Sequence, residues 1–278
     1  MESQYDIDYS LIERPAQSDI PEHLRNMAVS GYDIVFPHGF NFYDALLEVA
    51  PEFPGVMFVN GGSQAAIEPN VASYDIDSLD MGFLAGVVAG LATETNRIGH
   101  IAGMEFPQLI DSLNAFEAGA KYVNPDVVMV DAWVGDWEDA ATGRELAVAM
   151  AESGVDVIFE NAGAAGHGVI EGARASGIYA IGVNRDKNYL AEETVITSVI
   201  ADYSRAVLQM FELFVEGRID PAFYYFSASD GMVYYAPFYQ FEESLGEETM
   251  DRIRKIEAEI ISGELVVSDY VESVFHQY

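Results

Sequence analysis

The stretch VDVIFENAGAAGHGVIEGARASGIYAIGV, residues 155–183, decides the fold. Val155 to Glu160 is an apolar run, Gly166 to Ser176 has helical periodicity and ends at Gly177, and Tyr179 to Val183 is apolar again. A strand, a helix and a second strand joined by short turns make a βαβ unit, the building block of a parallel sheet. Gly163, Gly166 and Gly168 read G-x-x-G-x-G, which is not the dinucleotide order G-x-G-x-x-G, and no Gly-Lys-Ser/Thr follows for a phosphate loop. Two readings of the turn remain. Asn161 and the backbone N–H groups near Gly163 hold a ligand where open α/β sheets place them, or the turn simply joins strand to helix.

The same alternation extends in both directions. Further strand-like runs lie at Tyr32 to Phe36, Val56 to Val59, Ile98 to Ala102, Val127 to Ala132 and Val195 to Ile200. Helical patterns lie at Ile20 to Ser30, Asn41 to Ala50, Ser78 to Thr95, Pro107 to Tyr122, Trp137 to Ser153 and Asp202 to Gly217. Runs such as YDIVFP suit strands covered on both faces. Gly61 to Asn70 reads as a loop, and TETNRIGHIAG as a segment crossing from one lobe to another. After Gly217, FYYFSAS and MVYYAPF read as a hairpin turning at Ser229, Asp230 and Gly231, followed by a helix from Leu245 to Ser262. The expected architecture is α/β, with two doubly wound parallel-sheet lobes. The division expected is 1–96 for lobe 1, 97–200 for lobe 2, and 201–278 for a return to lobe 1 with the hairpin and final helix.

Composition narrows the function. The 278 residues carry 46 Asp plus Glu against 13 Lys plus Arg, a formal charge of −33, which excludes the basic footprint that nucleic-acid binding needs. The acids are spread along the chain, as expected for a surface adapted to high salt, where self-repulsion is screened. With no cysteine there is no disulfide, cysteine nucleophile, thiolate metal site or lipid-modified cysteine in this chain. Met1 to Tyr9 lacks the basic and apolar regions of a signal peptide, and Gly82 to Ala92 is too short to span a bilayer.

Several loops leave strand ends carrying an aromatic ring or an amide: HGFNFYDA with Phe40, Asn41 and Phe42, GDWEDA with Trp137, and GVNRDKN with Asn184, Arg185, Asp186 and Lys187. That mixture suits a small polar ring held by stacking and directed hydrogen bonds. Solvated loop charges account equally well for the last of these, and a helix N-cap for Asn41. His23, His38, His100, His167 and His276 lack metal-ligand spacing and read as surface or turn residues. There is no G-x-S-x-G elbow, so no catalytic residue, metal or cofactor is expected.

Residues 70–202 resemble the basic membrane protein family of ABC-transporter substrate-binding lipoproteins, which includes purine nucleoside receptors. The matching motifs are NVASYDIDSLDMGFLAGVVAGLATETNRIGHIAGMEFPQL, FEAGAKYVNPDV, WVGDWEDAATGRELAVAMAESGVDVIFENAGAAGHGVIEGA, IGVNRDKN and VITSVIADYSRAV, and the likeness continues upstream through GYDIVFPHGFNFYDALLEVAPEFPGVMFV. The resemblance implies a type I periplasmic-binding-protein fold, two lobes with a three-stranded hinge that close on a nucleoside-like ligand and pass it to a permease. It also implies ligand contacts at Asp77 or Asp80, Met104, Trp137, Asn161, Gly163 and Asn184. Asn184 stands where the family often has aspartate, and Ala201 near a position that often holds lysine. The opening segment ESQYDIDYSLIERP resembles the family's second strand, so the first strand and helix are expected to be missing from this chain.

The expected function is therefore an ABC importer's solute-binding protein with a nucleoside-like ligand. In its complete form it would sit at the outer face of the cell membrane, held by an anchor absent from this chain. The rivals are a ligand-sensing regulator of the same fold, a non-binding truncated remnant, and an enzyme on a Rossmann-like fold.

Overall fold

A computed structural model describes Tyr5, residues 7–63 and residues 66–275. Along the chain run α1 (Ile20–Val29), β1 (Ile34–Val35), α2 (Tyr43–Val49), β2 (Met57–Gly61), β3 (Val71–Ile76), α3 (Ser78–Ala92), β4 (Arg97–Ala102), α4 (Pro107–Val123), β5 (Val128–Trp133) and α5 (Ala140–Glu152). They are followed by β6 (Val157–Asn161), α6 (Gly166–Ser176), β7 (Tyr179–Asn184), β8 (Val195–Ala201), α7 (Tyr203–Val215), β9 (Phe223–Phe226), β10 (Val233–Tyr235), α8 (Phe241–Leu245), α9 (Glu247–Ile261) and α10 (Val267–Phe275).

The chain divides into two compact units, Met1–Ile76 with Tyr203–Phe226, and Asp77–Asp202 with Ser227–Tyr278, so it passes from one to the other three times. This differs from the division expected from sequence: α3 and everything after Phe226 belong with the second unit, not with the first lobe. TETNRIGHIAG does not cross. It lies inside the second unit, where Asp156 at the foot of β6 accepts from Thr93 Oγ1 and from the N–H groups of Glu94 and Thr95 at 2.6 to 2.8 Å.

In the first unit, β1-β2-β3-β9 form an all-parallel sheet. Val35, Phe58 and Val71 share a face with Ile20 and Leu24 of α1 and Leu46 and Val49 of α2, giving one core cluster. β3 carries no strand signal in the sequence because Ser73 and Asp75 break its apolar run, yet all six of its residues are buried. Of the opening segment, residues 2–4 and 6 lie outside the described residues, as does His276. Residues 7–15 form no strand, since β1 hydrogen-bonds only to β2 among the described strands.

The second unit has a six-stranded sheet in the order β10-β8-β7-β6-β4-β5, parallel except for β10. The expected hairpin does not form. β9 pairs with β3 in the first unit and β10 with β8 in the second, and the turn Ala228–Asp230 between them closes on Gly231 at φ +71°. Each strand thus finds a longer neighbour than the other could supply. The helix expected from Leu245 to Ser262 is α9, and Gly246, at φ +80°, separates it from the short α8.

α3 is apolar all round, which for a helix of its length means burial, and 12 of its residues are buried. Its Gly82, Gly86 and Gly90 recur every four residues along one face and meet the backbone of α4. A Cβ on Gly86 would overlap Phe116 O and lie 2.8 Å from Ala120 N. The stretch read as too short for a membrane span is therefore a core helix that packs backbone to backbone. No helix among the described residues is long and apolar enough to cross a membrane.

Candidate functional site

In the second unit β4 has β5 on one side and β6 on the other. α4 packs on the face that carries His100 and Phe159, whereas α5 and α6 cover the face that carries Ile101 and Ile158. The crossover leaving β4 and the crossover leaving β6 thus lie on opposite faces. The strand order reverses between β4 and β6, and the crevice outside their carboxyl ends is where such sheets bind ligands.

Asn161, Gly163 and Trp137 meet at that crevice, and Met104 follows Gly103 there. The Gly103 N–H donates to Asn161 O at 3.1 Å, which ties the two strand ends together next to Met104. The Trp137 indole lies over both glycines: a Cβ on Gly103 would overlap its ring, and one on Gly163 would lie 3.1 Å from it. Trp137 O accepts from the Ala165 N–H at 2.8 Å, and the Phe106 ring runs nearly parallel to the indole at 12°, with centroids 6.3 Å apart. Asn161 is buried, with Nδ2 3.4 Å from Ser112 Oγ on α4. Gly163 holds φ +63°, a conformation that costs glycine little.

The chain's own atoms occupy much of this loop. The His167 and Gly168 N–H groups donate to Ala164 O and Ala165 O, and the chain's own Glu160 carboxylate fills the space beneath Gly166, where a Cβ would overlap Oε2. Glu160 is fully buried and paired with Lys187, so Lys187 is not the solvated loop charge that the sequence suggested. Asn184 ends β7 with its side chain exposed, at the centre of a tight turn closed by Arg185 N–H to Val183 O at 2.9 Å, with φ +69°. Asp186 stands at the edge of this group: Oδ1 accepts from the Asn188 N–H at 3.0 Å and Oδ2 from the Tyr239 hydroxyl.

Asp77 and Asp80 both hold structure together. Asp77 is the N-cap of α3, accepting from Leu79 N at 2.8 Å and Asp80 N at 3.3 Å. Asp80 is buried and accepts from the Ala228 N–H at 2.8 Å. Burial, then the charges of Asp77 and Asp230, push its carboxyl up to about 7, against the pull of the Ala228 N–H. A carboxyl raised above its unfolded value favours folding fully below about 4 and loses that contribution as pH rises through 7. Asp80→Asn keeps an acceptor for Ala228 and removes the charge. It is expected to match the parent near pH 4 and to exceed it by up to about 4 kcal/mol at pH 8 in denaturant unfolding. A gain independent of pH would refute this assignment.

The remaining candidates, Phe40, Asn41 and Phe42, belong to the first unit. Phe42 packs against the α1–α2 core, and Phe40 is 60% exposed. Asn41 is not the helix cap expected: α2 starts at Tyr43 without a side-chain cap, and the Asn41 amide pairs with Gln17 at 3.0 Å. Sequence reasoning missed a cavity of about 420 Å³ in this unit, lined by Phe36, His38, Tyr74, Tyr203, Ser204 and Val207. It lies against β3, which had no strand signal, and Tyr203 donates to Asp75 Oδ1 at 3.1 Å. Phe106 and Ser112 were missed as well. Phe106 could have been found as the aromatic residue before the helix-starting Pro107.

Two parallel-sheet α/β units joined by three crossings, with a strand-end crevice at a switch point, define a type I periplasmic-binding-protein fold. The chain belongs to the PnrA-like ABC transporter substrate-binding protein family (Bmp), which matches residues 1–270. It is 33% identical over 192 residues to the ABC transporter nucleoside-binding protein BmpA of Lactococcus lactis subsp. cremoris, covering 66% of this chain and 55% of that protein. It is 26% identical over 268 residues to a Haloferax volcanii protein, TsgA13, named for glucose binding in an ABC transporter, covering 96% of this chain and 67% of that one. The solved structure of a transcriptional activator of the comK gene from Bacillus halodurans superposes with a TM-score of 0.84 at 24% identity, covering 95% of this chain and 91% of that one, a likeness of fold. The match spans 52% to 75% of the length of the curated relatives.

Proposed function

We propose that this protein binds a nucleoside-like solute at the strand ends of its second unit and delivers it to an ABC permease at the outer face of the cell membrane. The observation that carries this is the grouping of Trp137, Phe106, Asn161 and Gly163 at the β4–β6 switch point, with Asn184 on the adjoining strand end. A flat indole face offers stacking to a heteroaromatic ring, and the two amides offer both donors and acceptors to its edge and to sugar hydroxyls. Among the described residues, the one buried cation near these loops, Lys187, is already neutralised by Glu160, so the chemistry favours an uncharged solute over a phosphorylated one. The nucleoside-binding relative points the same way.

A sugar ring could also stack on the indole, and the Haloferax relative favours that second reading. A thermal-shift screen in molar salt with purine and pyrimidine nucleosides, free bases and glucose separates them. The expected result is a rise in melting temperature with at least one nucleoside and a smaller one, or none, with glucose. Stabilisation by glucose alone would replace the proposal with sugar binding, and no stabilisation by any of them would end it.

A further inference from the structure

Asn184 holds φ +69° in a tight turn, a backbone that asparagine tolerates better than other residues with a side chain, so its fixed position comes from what holds the loop around it. The residues on either side of it are held by one group. Glu160 Oε1 accepts from the Val183 N–H at 3.2 Å, directly before Asn184, and from Lys187 Nζ, three residues after it. The Lys187 N–H donates to Ser198 Oγ at 3.0 Å, and Asn188 Nδ2 to Val195 O at 3.2 Å, so the loop is fastened to β8 as well.

We propose that the Glu160–Lys187 pair is the positioning device that fixes Asn184, and with it one polar contact of the solute site. A buried ion pair contributes little net stability compared with apolar side chains of similar size, because desolvation offsets the attraction. What it does supply is a fixed geometry. The backbone is shaped around the pair and its support: a Cβ on Gly166 would overlap Glu160 Oε2, and one on Gly182 would overlap Ser198 Oγ, the acceptor of the Lys187 N–H. Successive residues of a strand point to opposite faces, so Glu160 reaches beneath α6 while Asn161 reaches Ser112 on α4. One strand end thereby presents Asn161 and clamps the loop that presents Asn184. The inference rests on the proposed solute site for its role in binding, but not for its effect on the loop.

The test compares the parent with Glu160→Gln, Lys187→Met and the double variant Glu160→Gln/Lys187→Met, by melting temperature, amide hydrogen exchange and titration with guanosine. Each single change is expected to lower the melting temperature, and Lys187→Met the more, because it strands a carboxylate. The double variant is expected to recover most of that loss. Its amides from Asn184 to Asn188 should nevertheless exchange at least tenfold faster than the parent's, and guanosine should bind at least tenfold more weakly. Parental exchange in that loop would overturn the proposal. Faster exchange with parental guanosine affinity would overturn its role in binding. If the parent binds no guanosine, the affinity comparison is made with the nucleoside that stabilises it most in the thermal screen; if none does, the functional reading fails, and the exchange comparison alone decides the positioning role. If the double variant does not fold, Glu160→Gln carries the same comparison.

Discussion

Replacing His100 by leucine is expected to remove most of a steep loss of stability between pH 6.5 and pH 3. His100 sits in the middle of β4, fully buried among Phe116, Trp133 and Phe159, and neither ring nitrogen has a hydrogen-bond partner among the described residues. Burial lowers its imidazole to about 3. In the unfolded chain it titrates near 6.5, so between those values the unfolded state takes up a proton that the folded state refuses. Stability from this group is intact above pH 6.5 and falls until pH 3, at about 1.4 kcal/mol per pH unit, a ceiling near 5 kcal/mol. Unfolding in denaturant at several pH values, in molar salt to screen the surface carboxylates, reads the difference between parent and variant. A difference that stays flat over this range would contradict the assignment. His100 lies within the strand-like run Ile98 to Ala102, yet its burial depends on α4 covering that face of β4, which a local pattern does not contain.

Trp137→Ala is expected to weaken solute binding about tenfold to a hundredfold, the range of about 1–3 kcal/mol that removing an aromatic partner from a stacked base costs. The indole is partly exposed and lies on two glycines rather than inside the core, so the variant should fold with only a modest loss of stability. Trp137→Phe, which keeps an aromatic face, should recover most of the affinity. Calorimetric titration with the best nucleoside of the thermal screen measures both. Equal affinities for the parent and the alanine variant would remove Trp137 from the site.

Most of the fold was legible because parallel strands buried on both faces leave continuous apolar runs, and α6 falls on the residues its glycine punctuation marks, Gly166–Ser176. What failed depended on pairing partners, which a local pattern does not contain. β3 carries Ser73 and Asp75, and the aromatic runs around Phe223 and Tyr235 looked like a hairpin because nothing local tells a strand which sheet it will join. The site divides in the same way. Strand-end loops are visible wherever an apolar run stops, which brought Trp137, Asn161, Gly163 and Asn184 into view. The Glu160–Lys187 pair was not, since its partners are 27 residues apart and meet only through the register of β6 and β7. The carboxylates of Asp77 and Asp80 also have structural partners that the sequence does not show, the α3 N-terminus and the Ala228 turn.

The formal charge of −33 sets the conditions for any assay, since screening by salt is what relieves repulsion among the surface carboxylates. The chain has 2 tryptophans, Trp133 on β5 and Trp137 at the switch point, so Trp133→Phe leaves a single emitter in the candidate site. Titrating that variant with purine nucleosides in molar salt is the most direct test of a stacking site at Trp137. The expected result is a saturable change in Trp137 emission that glucose does not reproduce. Constant emission up to millimolar nucleoside, with the protein still folded by circular dichroism, would contradict it.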